Sequence, residues 1–176
     1  MKAKKISLIL IVTVILICTS SVAYAYTLGS SNWKYTDGWV SFKWGNRVTT
    51  PGSVAREAFE TARDNWNYYQ SYAVFVYEAD SVNTFNTYSV SSSNEFGYCN
   101  IQRSGSDMIQ FSAMINVGNT NFTTDTVAPS AAAHELGHAF GLGHSSVSGS
   151  VMKVITIPCF TEPNSDDIAG MKAIYN

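Results

Sequence analysis

The chain has 176 residues, 45% of them hydrophobic and 14% charged, with 11 Lys or Arg against 13 Asp or Glu. This near-balanced, slightly acidic charge excludes a basic nucleic-acid footprint, so no nucleic-acid partner is expected. No internal repeat, long charge run or linker divides the sequence.

Residues 1–25 begin with Lys2, Lys4 and Lys5, continue as an apolar run from Ile6 to Cys18 and end on Ala23-Tyr24-Ala25. This is the layout of a secretory signal peptide cleaved after Ala25. The 13 apolar residues fall short of the roughly 20 that a membrane-spanning helix needs. No stable membrane anchor is therefore expected after cleavage, and the product is expected outside the cell. Ile17 stands where a small residue would precede a lipidated cysteine, which argues against an anchor on Cys18. What remains, residues 26–176, is the size of one domain and is expected to be a monomer. It carries 8 basic and 13 acidic residues, a formal net charge of −5. Its cysteines are Cys99 and Cys159. In an exported chain such a pair reads as one disulfide, whose loop would contribute about 4 kcal/mol on the chain-entropy model. Two free thiols are the alternative.

WVSFKW (39–44) alternates as a strand does, and TTPGS (49–53) is turn-like. Val54, Ala58, Phe59, Ala62, Trp66 and Tyr69 then recur at helical spacing, so an amphipathic helix starts at Pro51 or Ser53. YAVFVYEA (72–79) reads as a buried strand, and the Ser-, Asn- and Thr-rich segment 80–94 as a long exposed connection with at most one short strand. GYCNIQ (97–102) and MIQFSAMINV (108–117) are two more strands, followed by loop at 118–125. VAPSAAAHELGHAF (127–140) is helical until Gly141 and Gly143 stop it. SDDIAGMKAIYN (165–176) is a last helix, with Ser165 as N-cap and Asp166 and Asp167 in its first turn. The order implies an α+β fold: a mixed twisted sheet with two helices and a C-terminal helix.

All three histidines of the chain lie in HELGHAFGLGH, residues 134–144. His134 and His138 are one helical turn apart, so both imidazoles can reach one ion at the Zn–N distance of roughly 2.0–2.1 Å. Glu135 lies about 100° around from His134, near the metal without pointing at it. His144 could join them only if the chain reverses, since a continued helix would carry it about 9 Å beyond His138. Gly141 permits that reversal, because glycine adopts positive φ without steric cost. Three histidines with an open fourth position suit catalysis rather than structural zinc. Zinc would lower the pKa of a bound water and polarise a carbonyl, while Glu135 takes the water's proton and returns it to a leaving amine.

HELGHAFGLGH resembles the metzincin zinc signature HExxHxxGxxH at every fixed position. Met152, eight residues after His144, falls where metzincins place a methionine turn; alone it would pass for a core methionine. Together with SDDIAGMKAIY, these features make the chain most similar to a small bacterial matrixin-type peptidase over residues 33–176. The resemblance implies a metzincin-like zincin fold, one catalytic zinc held by His134, His138 and His144, Glu135 as catalytic base, and a protein or peptide substrate. With no histidine left over, it carries no second, structural zinc. Matrixin calcium sites have no clear counterpart, and only the scattered acids Glu95, Asp107 and Asp125 offer weak ones. The specificity-pocket wall, Pro-x-Tyr in matrixins, has its nearest match in Pro158-Cys159-Phe160; a Cys99–Cys159 bond would pin it to the strands. Metzincins pair an extended peptide with the sheet's edge strand, whose expected counterpart is FSAMINVGN (111–119). Val154 replaces the tyrosine ligand of astacin-like enzymes, and no cysteine between Ala25 and Tyr98 offers a matrixin-style block on the zinc. Two other readings stay open: a non-catalytic zinc-bound interaction module, and a zinc hydrolase dedicated to one cell-wall or partner peptide.

Overall fold

The computed structural model describes residues 26–28, 34–122, 126–154 and 157–176. The expected signal, residues 1–25, and Asp125 lie outside them. In chain order the elements are β1 (Tyr26–Leu28), β2 (Trp39–Trp44), α1 (Val54–Tyr69), β3 (Val74–Tyr77), β4 (Thr84–Tyr88), β5 (Gly97–Ser104), β6 (Asp107–Asn116), α2 (Val127–Ala139), β7 (Leu142–Ser145) and α3 (Ser165–Tyr175).

Helix α1 forms where the 3.6-residue spacing predicts it. Ser53 caps it by accepting from Arg56 N at 3.4 Å, which settles the start in favour of Ser53 over Pro51. Its buried stripe is Ala55, Ala58, Phe59, Ala62 and Trp66. Phe59 stacks on Phe85 with ring centroids 5.1 Å apart, and Phe85 stacks in turn on Phe42 at 4.0 Å. Burying each such side chain is worth roughly 2–3 kcal/mol, so this aromatic stack fixes α1 against the sheet.

The main sheet has the order β3-β2-β4-β6-β5. Strands β2, β3, β4 and β6 run parallel, and only β5 is antiparallel, joined to β6 by a tight hairpin. Helices α1 and α2 cover the face that carries Val40, Phe42, Phe75, Phe85, Phe111 and Ile115. A separate ribbon pairs β1 with β7, and α3 packs against both. The architecture is the expected α+β arrangement, a mixed sheet with two helices on one face and a C-terminal helix. No helix among the described residues is long and apolar enough to cross a membrane.

Several local expectations change. β3 is four residues on the sheet's edge, with Tyr77 54% exposed, rather than a buried strand spanning 72–79. The one short strand within 80–94, β4, is a central member of the sheet. Its Phe85 and Thr87 point inward, and the polar residues around it are consumed in internal bonds. Thr84 and Ser112 hydroxyls lie 2.9 Å apart, and the buried Asn83 side chain donates to Ser41 O and accepts from Phe111 N, both at 2.8 Å. A composition that reads as exposed loop is here a hydrogen-bonded seam. Strand β6, expected at the edge, is interior, and β5 is the edge strand beside α2.

The last helix is capped by Asn164, not Ser165. Asn164 accepts from Asp166 N and Asp167 N, and Asp167 returns a bond to Asn164 N at 2.9 Å, a capping box. The expected Cys99–Cys159 disulfide is absent: both thiols are free. Cys99 is half-buried on β5 and packs against the core, whereas Cys159 is exposed on the segment that α1 holds through Asn65 Nδ2 to Thr161 O at 2.8 Å. The segment is thus tied by hydrogen bonding rather than covalently.

Candidate metal centre

Helix α2 places His134 and His138 on one side, one turn apart. It ends after Ala139 because Gly141 takes φ +98°, a conformation that side chains rarely tolerate. The reversal feeds β7, which carries His144 back over α2. Gly143 plays no part in the turn; it is a strand residue of β7. The three imidazoles converge, with ring centroids 4.8, 5.2 and 4.9 Å apart, and one nitrogen from each lies within 4.8 Å of the others.

The backbone fixes the tautomers of the first two. His134 Nδ1 is 2.7 Å from Val151 O and His138 Nδ1 is 2.8 Å from Leu142 O. A carbonyl only accepts, so each Nδ1 carries the proton and each Nε2 keeps its lone pair. Burial pulls the His138 pKa down to about 3, helped by its neighbour His134, and burial also lowers that of His134. Neutral imidazoles are the form that binds a metal.

Glu135 is 5% exposed, and its Oε2 has no hydrogen-bond partner. Burial, followed by repulsion from the Glu95 carboxylate, pushes its pKa up to about 8. An orphaned carboxylate oxygen in a dry site is costly; a divalent cation with its water beside the histidines would satisfy it. The donor set therefore fits a zinc ion: three neutral nitrogens, an open side and an unpartnered acid. Among the described residues this is the one group of three or more potential ligands brought together. Glu95 and Asp107 sit at opposite ends of β5, so the expected weak calcium acids do not converge.

The floor of the site is a set of close approaches. A Cβ on Gly137 would run into Met152 Sδ and lie 3.1 Å from Trp66 Cζ2. Met152, 2% exposed, thus packs directly against the histidine helix. Trp66 Nε1 donates to Ala133 O at 2.9 Å, locking α1 to the same turn. Above the site, a Cβ on Gly97 would lie 2.7 Å from both Glu135 Oε1 and Met114 O, so only glycine lets β5 come this near the carboxylate. Asp167 of α3 holds the loop before Met152: it accepts from Ser150 Oγ at 2.5 Å, Val151 N at 3.1 Å and Met152 N at 3.4 Å. Its neighbour Asp166 accepts from Ser145 Oγ at 2.7 Å.

This arrangement of histidine helix, glycine reversal, third histidine and methionine beneath is accompanied by a family match: the model for matrixin peptidases covers residues 55–176. The chain belongs to the matrixin family. Membership places it among zinc-dependent peptidases, whose substrates are proteins or peptides. No curated protein matches the chain.

In this matrixin two hollows flank the histidines. One, of about 350 Å³, lies between His134, Glu135, Val151, Lys153 and Pro158. The other, of about 460 Å³, lies between β5 and the Gly141–His144 reversal. Pro158 does form a wall of the first, as expected, while Phe160 turns inward against the core. Gly97 and Gly137 do not stand out in the sequence, and Asp167, expected only as a first-turn acid of the last helix, also holds the Met152 loop. The Asn164 to Asp167 spacing is a capping-box signature that could have exposed Asp167; nothing local marks the two glycines.

Proposed function

We propose that residues 1–25 direct export and that 26–176 form a single-domain, secreted zinc endopeptidase acting as a monomer. In this reading His134, His138 and His144 hold the metal through nitrogens, and Glu135 is the general base and then the general acid. The observation that carries it is the buried, unpartnered Glu135 oxygen beside three converging neutral imidazoles. Zinc, when bound, supplies a Lewis acid that acidifies a water and polarises the scissile carbonyl.

The chain's own groups supply the rest. The edge strand β5 offers unpaired backbone groups to an extended peptide, positioning a peptide bond with little regard to its side chains. Glu135 takes the proton of the attacking water, and the same carboxyl then delivers it to the leaving nitrogen as the C–N bond breaks. Beside a divalent cation the ionised form of Glu135 is favoured, so the upward shift caused by burial does not disarm the base. Burial helps in the second half, since a carboxyl easily protonated in a dry site is a competent acid. Met152, Trp66 and Asp167 touch no substrate; they hold the histidine helix and the loop beneath it.

Hydrolysis of casein or a quenched peptide by the 26–176 chain tests this. Cleavage is expected to stop with a chelator, return with zinc, and fall by a factor of about 10²–10⁴ in Glu135→Ala. One zinc per chain with no cleavage of any peptide would instead favour a binding module.

A further inference from the structure

The two hollows beside the histidines differ in charge. Around the β5 side, Tyr98, Cys99, Ile101, Leu142 and three glycines contribute no charged group beyond the proposed machinery. The hollow on the His134 side has apolar walls from Phe96, Val151, Val154 and Pro158, but it also presents Lys153 and Glu95. Lys153 is half-buried and forms no ion pair among the described residues. Lys153 is thus a half-buried cation with no carboxylate partner, lining an otherwise largely apolar hollow.

The backbone of Lys153 is held rigidly. It follows Met152 directly, donates its N–H to Ser150 O at 3.2 Å, and forms a bridge with Ser145, one residue from His144. The stem of Lys153 therefore starts from a point fixed relative to the histidines. Glu95 differs: it is exposed, at the rim, where water screens it. Of the two charges, the one partly removed from water acts more strongly on a side chain inside the hollow.

We propose that Lys153 is a specificity-determining residue that makes this peptidase favour an acidic side chain, Asp or Glu, next to the scissile bond. The inference rests on the peptidase reading above. Because His134, Glu135 and His144 line the hollow, its occupant belongs to a residue flanking the bond that is cut. The acid's carboxylate meets the ammonium of Lys153, and its methylene groups lie against Val151 and Pro158. Glu95 opposes this preference from the rim.

The test is a set of quenched peptides varied on either side of the cleaved bond, with Glu, Gln, Leu or Lys at each position, assayed on the zinc-loaded 26–176 chain. The expected result is a kcat/KM for Glu over Gln about ten-fold higher at one flanking position. That ratio should collapse to near one in Lys153→Gln, invert toward Lys in Lys153→Glu, survive in Lys153→Arg and increase in Glu95→Gln. Ratios on one enzyme are insensitive to partial misfolding, and Lys153→Arg controls for a loop that tolerates no change. A Glu preference that persists in Lys153→Gln, or no Glu preference in the wild type, overturns the proposal while leaving the peptidase intact. Failure of the wild type to cut any peptide overturns the peptidase reading itself.

Discussion

Gly137 shows how little room the site leaves at the scale of a residue. Its missing Cβ is occupied by Met152, with Trp66 behind it. Gly137→Ala has no flexible surface group to displace, and overpacking of this kind costs about 1–3 kcal/mol. A fall in Tm with zinc affinity reduced is the expected outcome; an unchanged Tm would mean that the methionine is not packed against the helix. His138 has its pKa lowered from 6.5 to about 3 by burial, so the unfolded chain binds more protons between those values. Stability from this group is present above pH 6.5 and lost as pH falls toward 3. Glu135 is raised from 4.5 to about 8, so its contribution runs the other way and is lost as pH rises from 4.5 to 8. From these two groups the opposing slopes cancel between pH 4.5 and 6.5, so the protein kept in chelator is expected to be most stable across that range and to weaken on both sides of it. Urea unfolding across pH 4–9 measures this. A stability that climbs steadily to pH 9 would contradict the buried, unpaired state of Glu135. At this scale the sequence was most legible in the histidines, because helical spacing and one glycine reversal leave few ways to join them. Gly97 and Lys153 were not legible, since their meaning depends on which distant strand or loop faces them.

Among the elements, α3 does more than pack. The Asp167 carboxylate on its first turn is at once half of the capping box and the acceptor for three groups of the loop before Met152. Burial raises its pKa, while the bonds from Ser150, Asn164, Val151 and Met152 pull the other way. Removing it strands several buried donors, at about 1–3 kcal/mol each when left unpaired. Asp167→Ala is therefore expected to lower stability by about 2–4 kcal/mol, read from urea midpoints, and to weaken zinc binding as well. An equal loss in Ser165→Ala would restore Ser165 as the cap. Elements with a strong period were readable: α1, α2 and α3 each stand within a residue or two of their sequence-based bounds. β4 was not. Its alternation is carried only by Phe85 and Thr87, and the Asn and Ser residues beside it resemble a loop until their partners across the sheet are known. The two-residue pairing of β1 with β7 is too short to carry any pattern.

For the whole molecule, order in the chain and order in the sheet diverge. The strand that follows β5 in sequence tucks inside it, so the edge strand beside α2 is β5, and the expected edge, residues 111–119, is covered on both sides. Strand order is set by crossover and hairpin choices that local composition does not encode. The free thiols have the same origin: two cysteines suggested a bond, but the fold puts Cys99 within the sheet and Cys159 on an exposed segment. The fold class and the histidine set needed no such long-range knowledge, which is why they were legible from the start. In the proposed function, these three histidines and Glu135 make a single-metal peptidase. Titrating zinc into the metal-free 26–176 chain while following cleavage of a quenched peptide tests it most directly. Activity should rise linearly and saturate at one zinc per chain, and Glu135→Gln should bind the same single zinc without turnover. Cleavage before any zinc is added, saturation at two zinc ions, or undiminished turnover by Glu135→Gln would contradict it.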